Sequence, residues 1–254
     1  MHLSSRATVL CALAISLLAG DAIAGNFQVQ PTRLDLARRG ATTELTISNH
    51  GQIAARFEAK VFVWNQDDQG VMQLEPTKEI VVYPTLFSIP PGAERAVRVA
   101  ATSGPTATER SYRIFVEELP PPRSASTSSK PTAVAVRTRM GVPIFVAPSH
   151  AEVRGSVEAT VSGGVVRVAI HNRGTVHAKM TALHVVAKDA TGAVIFDQEQ
   201  KGWYVLASGD RRYALALDAS ACPRVRQLLI EAPSDEATWK TTIVMPRDGC
   251  AGSK

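Results

Sequence analysis

Along most of the chain apolar and polar residues alternate with a period of two, the spacing of a β-strand with one buried face. ELTISN (44–49), ARFEAKVFVW (55–64), AERAVRVAA (93–101) and YRIFVEEL (112–119) carry this pattern. Turn-forming NHG (49–51), NQDDQG (65–70), PPG (90–92) and SGP (103–105) separate them. Beyond residue 150 the alternation resumes in VVRVAIHNRG, ALHVVAKDATG, AVIFDQ, RYALAL, RQLLIEA and TTIVMP. No segment keeps a helical period over a useful length, so the expected fold is all-β. Strands this short at this spacing predict immunoglobulin-like β-sandwich domains. In NFQVQPTRLDL the apolar parity switches at Pro31: Phe27 and Val29 share one face, Leu34 and Leu36 the other. A proline inside a strand belongs at an edge or bulge, so this strand is expected to leave one sheet and join the second.

The stretch TAVAVRTRMGVPIFVAPS (132–149) raises the sharpest question. Val134, Val136, Thr138 and Met140 fall on one face of it, with Ala133, Ala135, Arg137 and Arg139 on the other. A polar, Pro/Ser-rich excursion, LPPPRSASTSSKPT (119–132), precedes it. No later strand of the first half remains to cover its outer side. The apolar residues are therefore either core of their own sandwich or an edge that a partner covers, because exposed apolar edges otherwise aggregate.

Residues 1–24 read as a secretory signal: Arg6, then the apolar run ATVLCALAISLLAG, then small residues before Gly25. The mature chain has no later run long enough to cross a bilayer. Its length suits two domains, 25–148 and 149–254, joined so closely that a cleft at a fixed angle is expected between them. Two cysteines remain after the signal, Cys222 and Cys250. In an oxidising compartment an even pair predicts a disulfide, on number and compartment rather than on geometry. The net charge of +5 is unchanged by loss of the signal, and the basic residues are scattered rather than clustered. That argues against nucleic-acid binding and for a local anionic partner.

Candidate chemistry is sparse. His171, His177 and His184 are spaced by six and seven residues, which breaks the same-face parity of a metal site, so they read as solvated turn residues. Glu117 and Glu118 point to opposite faces of one strand, and Asp67–Asp68 lie in a turn, so neither forms an acid/base couple. Trp64, Trp203 and Trp239 are dispersed through strand segments, which predicts core packing rather than a carbohydrate-binding surface.

Taken in order, ELTISNHG (44–51), LFSIPPGAERAVRV (86–99), RSYRIFVEELPP (110–121), VRTRMGVPIFVAP (137–148), VRVAIHNRGTVHAKM (166–180) and GWYVLASGDRR (202–212) span the mature chain. In this series the chain resembles the periplasmic chaperones of the chaperone–usher pathway, which escort pilus (fimbrial) subunits. Its departures resemble the archaic branch of that family. The resemblance implies two immunoglobulin-like domains in an L shape, a periplasmic location, and no catalysis, cofactor or metal. It implies pilus subunits and an outer-membrane usher as partners, and leaves open a dimer that caps its own edge. An incomplete subunit would accept the edge strand, with Val134, Val136, Thr138 and Met140 entering its core. The family also holds the subunit's terminal carboxylate with basic residues from the first and the lending strands. Arg33 matches the first. Pro143 and Gly141 stand where the second is expected, so Arg139 or Arg137 would have to serve. Ala147 stands where many members have an arginine for an interdomain salt bridge. Two other readings are an exported pilus subunit or adhesin, and a carbohydrate-binding immunoglobulin-like module. Against the first, only GNFQVQ precedes the first strand, and the donor-like pattern lies mid-chain.

Overall fold

The computed structural model describes residues 27–37, 40–121 and 136–251. The proposed signal and Val134 of the candidate lending strand lie outside the described residues. The chain is all-β. Its strands are β1 (Phe27–Gln30), β2 (Leu34–Leu36), β3 (Thr42–Asn49), β4 (Ala55–Gln66), β5 (Met72–Pro76), β6 (Ile80–Tyr83), β7 (Leu86–Ile89), β8 (Glu94–Ala101), β9 (Arg110–Glu118) and β10 (Arg139–Val146). They continue as β11 (Gly155–Ser162), β12 (Val165–Asn172), β13 (Ala178–Lys179), β14 (Ala182–Lys188), β15 (Val194–Lys201), β16 (Tyr204–Val205), β17 (Asp210–Ala216), β18 (Gln227–Pro233) and β19 (Thr238–Val244).

Strands β1 to β10 form two facing sheets, ordered β1-β3-β8-β6 and β2-β10-β9-β4-β5, with β7 also paired to β4. The parity switch at Pro31 has the expected consequence: β1 pairs with β3 in the first sheet, and β2 runs parallel to β10 in the second. Inward residues of both sheets, among them Leu34, Ile47, Phe57, Val97, Ile114 and Ile144, make one buried core. The second domain repeats the plan with β11-β12-β17 facing β15-β14-β18-β19, and has its own core around Val168, Ile170, Val185, Leu228 and Trp239. Both domains are immunoglobulin-like sandwiches. Cys222 and Cys250 are joined at S–S 2.07 Å and tie the end of the second domain to the 3-10 turn Cys222–Arg224.

One device recurs. In the turns NHG and NRG a buried asparagine ties the chain together from within. Asn49 donates to the carbonyls of Ile53 and Ile89 and accepts from Gly51 N–H. Asn172 donates to those of Val176, Val205 and Leu206 and accepts from Gly174 N–H. A buried amide is stable here because most of its bonding capacity is met.

The two domains meet over a third apolar cluster, Trp64 and Phe145 from the first and Tyr204 from the second. The histidines depart from the solvated-turn expectation. His177 is buried: its ring stacks on Phe145 with centroids 3.6 Å apart, and its Nδ1 lies 2.7 Å from Glu109 Oε1. His177 N–H donates to the same oxygen, and Glu109 N–H donates to Thr175 O. His171 lies between Asp210 and Glu158, and His184 beside Glu199, so the carboxylates come from other strands. On the far side of the junction the turn NQDDQG grips β17. Arg212 N–H donates to Asp68 O, and its guanidinium pairs with the Asp68 carboxylate at 2.9 Å. Gly70, at φ +71°, leaves the space that the Arg211 guanidinium fills. The domain angle thus rests on these contacts, with no arginine at position 147.

Candidate functional site

The lending-strand candidate is an edge over only part of its length. β10 pairs with β9 from Arg139 to Val146, and the ladder extends outward through Glu118 N–H to Thr138 O. On its other side β2 covers Ile144 to Val146 alone. The expectation of an edge along the whole strand is therefore corrected for its last three residues, where the kinked first strand has joined the sheet. From Val136 to Pro143 no strand among the described residues pairs with that outer side. Met140 is half-buried and packs on the first core, in line with Val142, Ile144 and Val146, which lie within it. Thr138 and Val136 continue this face outward, and Val136 is 78% exposed. The same apolar stripe thus begins as core and ends in solvent.

The basic residues sort differently from their sequence pattern. Arg33 is half-buried and its Nε pairs with Asp35 at 2.9 Å; burial would lower its pKa, but the Asp35 carboxylate outweighs that and raises it. Arg139 pairs with Glu117, its cross-strand neighbour, at 2.6 Å, and its guanidinium stands 4.0 Å over the Phe115 ring. Gly141 makes room for that ring, since a Cβ there would come within 2.8 Å of it. Arg137 is exposed.

Arg113, on β9, stands apart. It is 8% exposed, and no carboxylate pairs with it among the described residues. Its guanidinium lies 4.9 Å from the Trp64 ring centroid, 5.8 Å from Trp203 and 6.0 Å from Phe115. It donates to Met72 Sδ at 2.7 Å and weakly to Gly141 O at 3.4 Å, while Nε has no partner. Burial pulls its pKa below the ordinary value, yet a guanidinium keeps its charge. Buried cations are ordinarily paired with an anion, whereas aromatic rings and a thioether face this one among the described residues.

The register places it. Arg113 pairs with Pro143 of β10, and Ile144 pairs with Leu34, so Arg33 lies one step along from that row. Leu34 and Ile144 face the core; Arg33, Pro143 and Arg113 therefore face the other way, toward the second domain. Two strand spacings, about 9.6 Å, separate the two arginine positions. Tyr204 of the second domain lies within the fields of both: burial raises its phenol, and Arg33 and Arg113 oppose that rise. Sequence pattern missed Arg113 because it occupies a polar beat in an ordinary alternating strand. The available signal was that it is the one cation in the apolar run YRIFV, across from a proline at the position where a basic residue was sought.

Of the tryptophans, Trp64 and Trp239 are buried, and Trp203 is partly exposed beside Arg113. No group of three or more histidine, cysteine, aspartate or glutamate side chains suited to a metal occurs among the described residues. Nor is any helix among them long and apolar enough to cross a membrane.

Residues 26–152 match the family model described as "Pili and flagellar-assembly chaperone, PapD N-terminal domain". No curated protein matches the sequence. Among solved structures, the fold is similar to a chaperone–tip subunit pre-assembly complex from the archaic chaperone–usher Csu pili of Acinetobacter baumannii. That match has 18% identity, 86% of this chain and 98% of the other covered, and a TM-score of 0.59. The CupB2 chaperone of Pseudomonas aeruginosa matches at 15% identity over 86% of this chain and 100% of its own, with a TM-score of 0.53. The complex of the SafA pilin with the SafB chaperone from Salmonella enterica matches at 16% identity over 87% and 97%, with a TM-score of 0.51.

Proposed function

We propose that this chain, which belongs to the pili and flagellar-assembly chaperone family, holds an incomplete pilus subunit in the periplasm by lending it β10 and then delivers it to an outer-membrane usher. The subunit adds a strand along Val136–Pro143, and backbone pairing supplies register-independent affinity. Val134, Val136, Thr138 and Met140 enter the subunit's core. Each fully buried Val or Met contributes about 1.5–3 kcal/mol before ordering costs.

The terminal carboxylate of the subunit fixes the register, because a one-residue slip would turn the wrong face toward its pockets. Arg33 and Arg113 bind it from either side of Pro143, and Arg139 stays with Glu117. The observation that carries this reading is the buried Arg113 guanidinium, which has no carboxylate partner among the described residues. A guanidinium can meet a carboxylate with parallel charge-assisted hydrogen bonds. Loss of one partner of such a desolvated pair costs about 2–5 kcal/mol.

The test is a double-mutant cycle with a pilus subunit encoded in the same gene cluster. Arg113→Gln and a subunit extended by a short C-terminal tail should each reduce complex yield strongly. Combined, they should cost little more than either alone. Additive losses would mean that Arg113 and the carboxylate act independently.

A further inference from the structure

Met72 opens β5 and is 41% exposed, and its thioether is in contact with the Arg113 guanidinium. A thioether is a weak acceptor, so this contact leaves Arg113 poorly bonded and available. Of the other described methionines, Met180 is buried and Met140 and Met245 are half-buried. Met72 is the most accessible of them, and it is the one that touches Arg113.

We infer that Met72 is a reversible oxidation site whose sulfoxide captures Arg113 and switches off carboxylate capture. This rests on the assignment of Arg113 as an anchor. A peroxide transfers one oxygen to the Met72 sulfur: the O–O bond breaks, a sulfur lone pair forms the S–O bond, and the peroxide is reduced to water. The thioether is oxidised to a sulfoxide, and methionine sulfoxide reductases reverse the change. The new oxygen is a strong, polar acceptor within reach of the Arg113 Nη1–H. It satisfies the guanidinium internally and competes with an incoming carboxylate for the same donors. Because the captured hydrogen bond is charge-assisted, client capture should fall about tenfold or more.

The experiment treats the full mature chain and its M72L variant with dilute hydrogen peroxide and maps oxidation by peptide mass spectrometry. Two readouts follow: the Arg113 side-chain Nε–H signal by NMR, and the ratio of treated to untreated complex yield with the co-encoded pilus subunit. Both proteins keep Met140, so any effect of its oxidation is common to them. Wild type should oxidise first at Met72, shift the Arg113 signal, and lose about tenfold more yield than M72L, with recovery after reductase treatment. An unmoved Arg113 signal in the Met72-oxidised chain, or an equal loss in M72L, overturns the switch. A moved signal with undiminished yield overturns the anchor assignment beneath it.

Discussion

Removing the Glu109 side chain should loosen the two domains from each other before it unfolds either. The Glu109 carboxylate is 5% exposed and accepts from both the Nδ1 and the backbone N–H of His177, at 2.7 and 3.1 Å. Glu109→Ala leaves those two donors without their acceptor in a site walled by Phe145. Each unsatisfied buried donor costs about 1–3 kcal/mol, and water entering the vacated space recovers part of it. A net loss of about 2–4 kcal/mol follows. The backbone bond from Glu109 N–H to Thr175 O and the His177–Phe145 stack survive the substitution. Glu109→Gln keeps an acceptor and should cost about half as much or less. Urea unfolding of the mature chain is the assay. Intrinsic fluorescence is informative because Trp64 lies at the junction and Trp239 in the second core. Wild type should unfold with the junction signal and second-domain circular dichroism in step. In Glu109→Ala the junction signal should move to lower urea than the second core. A variant within about 0.5 kcal/mol of wild type, with coincident transitions, would refute the claim that this pair holds the domain angle.

Three further outcomes are expected. Val136→Asp or Val134→Asp should abolish co-purification of a pilus subunit while the free chain keeps its β-sheet circular dichroism; retained binding in both would remove β10 as the lending strand. Replacing Cys222 and Cys250 together by alanine should destabilise the second domain by about 3.5 kcal/mol, the loop-closure value for the 28-residue separation, measured by urea unfolding. Burial alone would raise the Asp210 carboxyl, but hydrogen bonds from His171 and Arg173 outweigh it and hold it below its ordinary 3.8. Its stabilising contribution is therefore complete above that pH and is lost as pH falls through the lower folded-state value. Asp210→Asn should be less stable than wild type near neutrality and show a flatter loss below pH about 4 in acid titrations of stability.

The period-2 pattern made β3, β4, β8, β9 and the second-domain strands legible, because each buries one face and the alternation is the physical cause of the pairing. The kink at Pro31 was legible for the same reason: Leu34 and Leu36 could be buried only by changing sheets. β5, β6 and β7 were not. They are short, and the apolar residues Met72, Val81, Tyr83 and Leu86 stay exposed beside buried Ile80, Phe87 and Ile89, so hydrophobicity alone does not mark which face is buried. The half-covered state of β10 followed from tertiary pairing with β2, which no local pattern encodes. Arg139 looked like an anchor by position, but Glu117 lies directly across from it on β9. Arg113 meets Trp203 and His177 meets Glu109, partners more than 60 positions away in each case, and only the docked domains reveal them.

Backbone amide exchange across β10 tests strand lending most directly. The amides of Arg139 and Gly141, which point away from β9, should exchange readily in the free chain, where β2 does not reach. On addition of a co-encoded pilus subunit they should become protected, as a new ladder along that edge requires, while Ile144 to Val146 change little. A complex that forms with the Arg139 and Gly141 amides as unprotected as before would contradict the account.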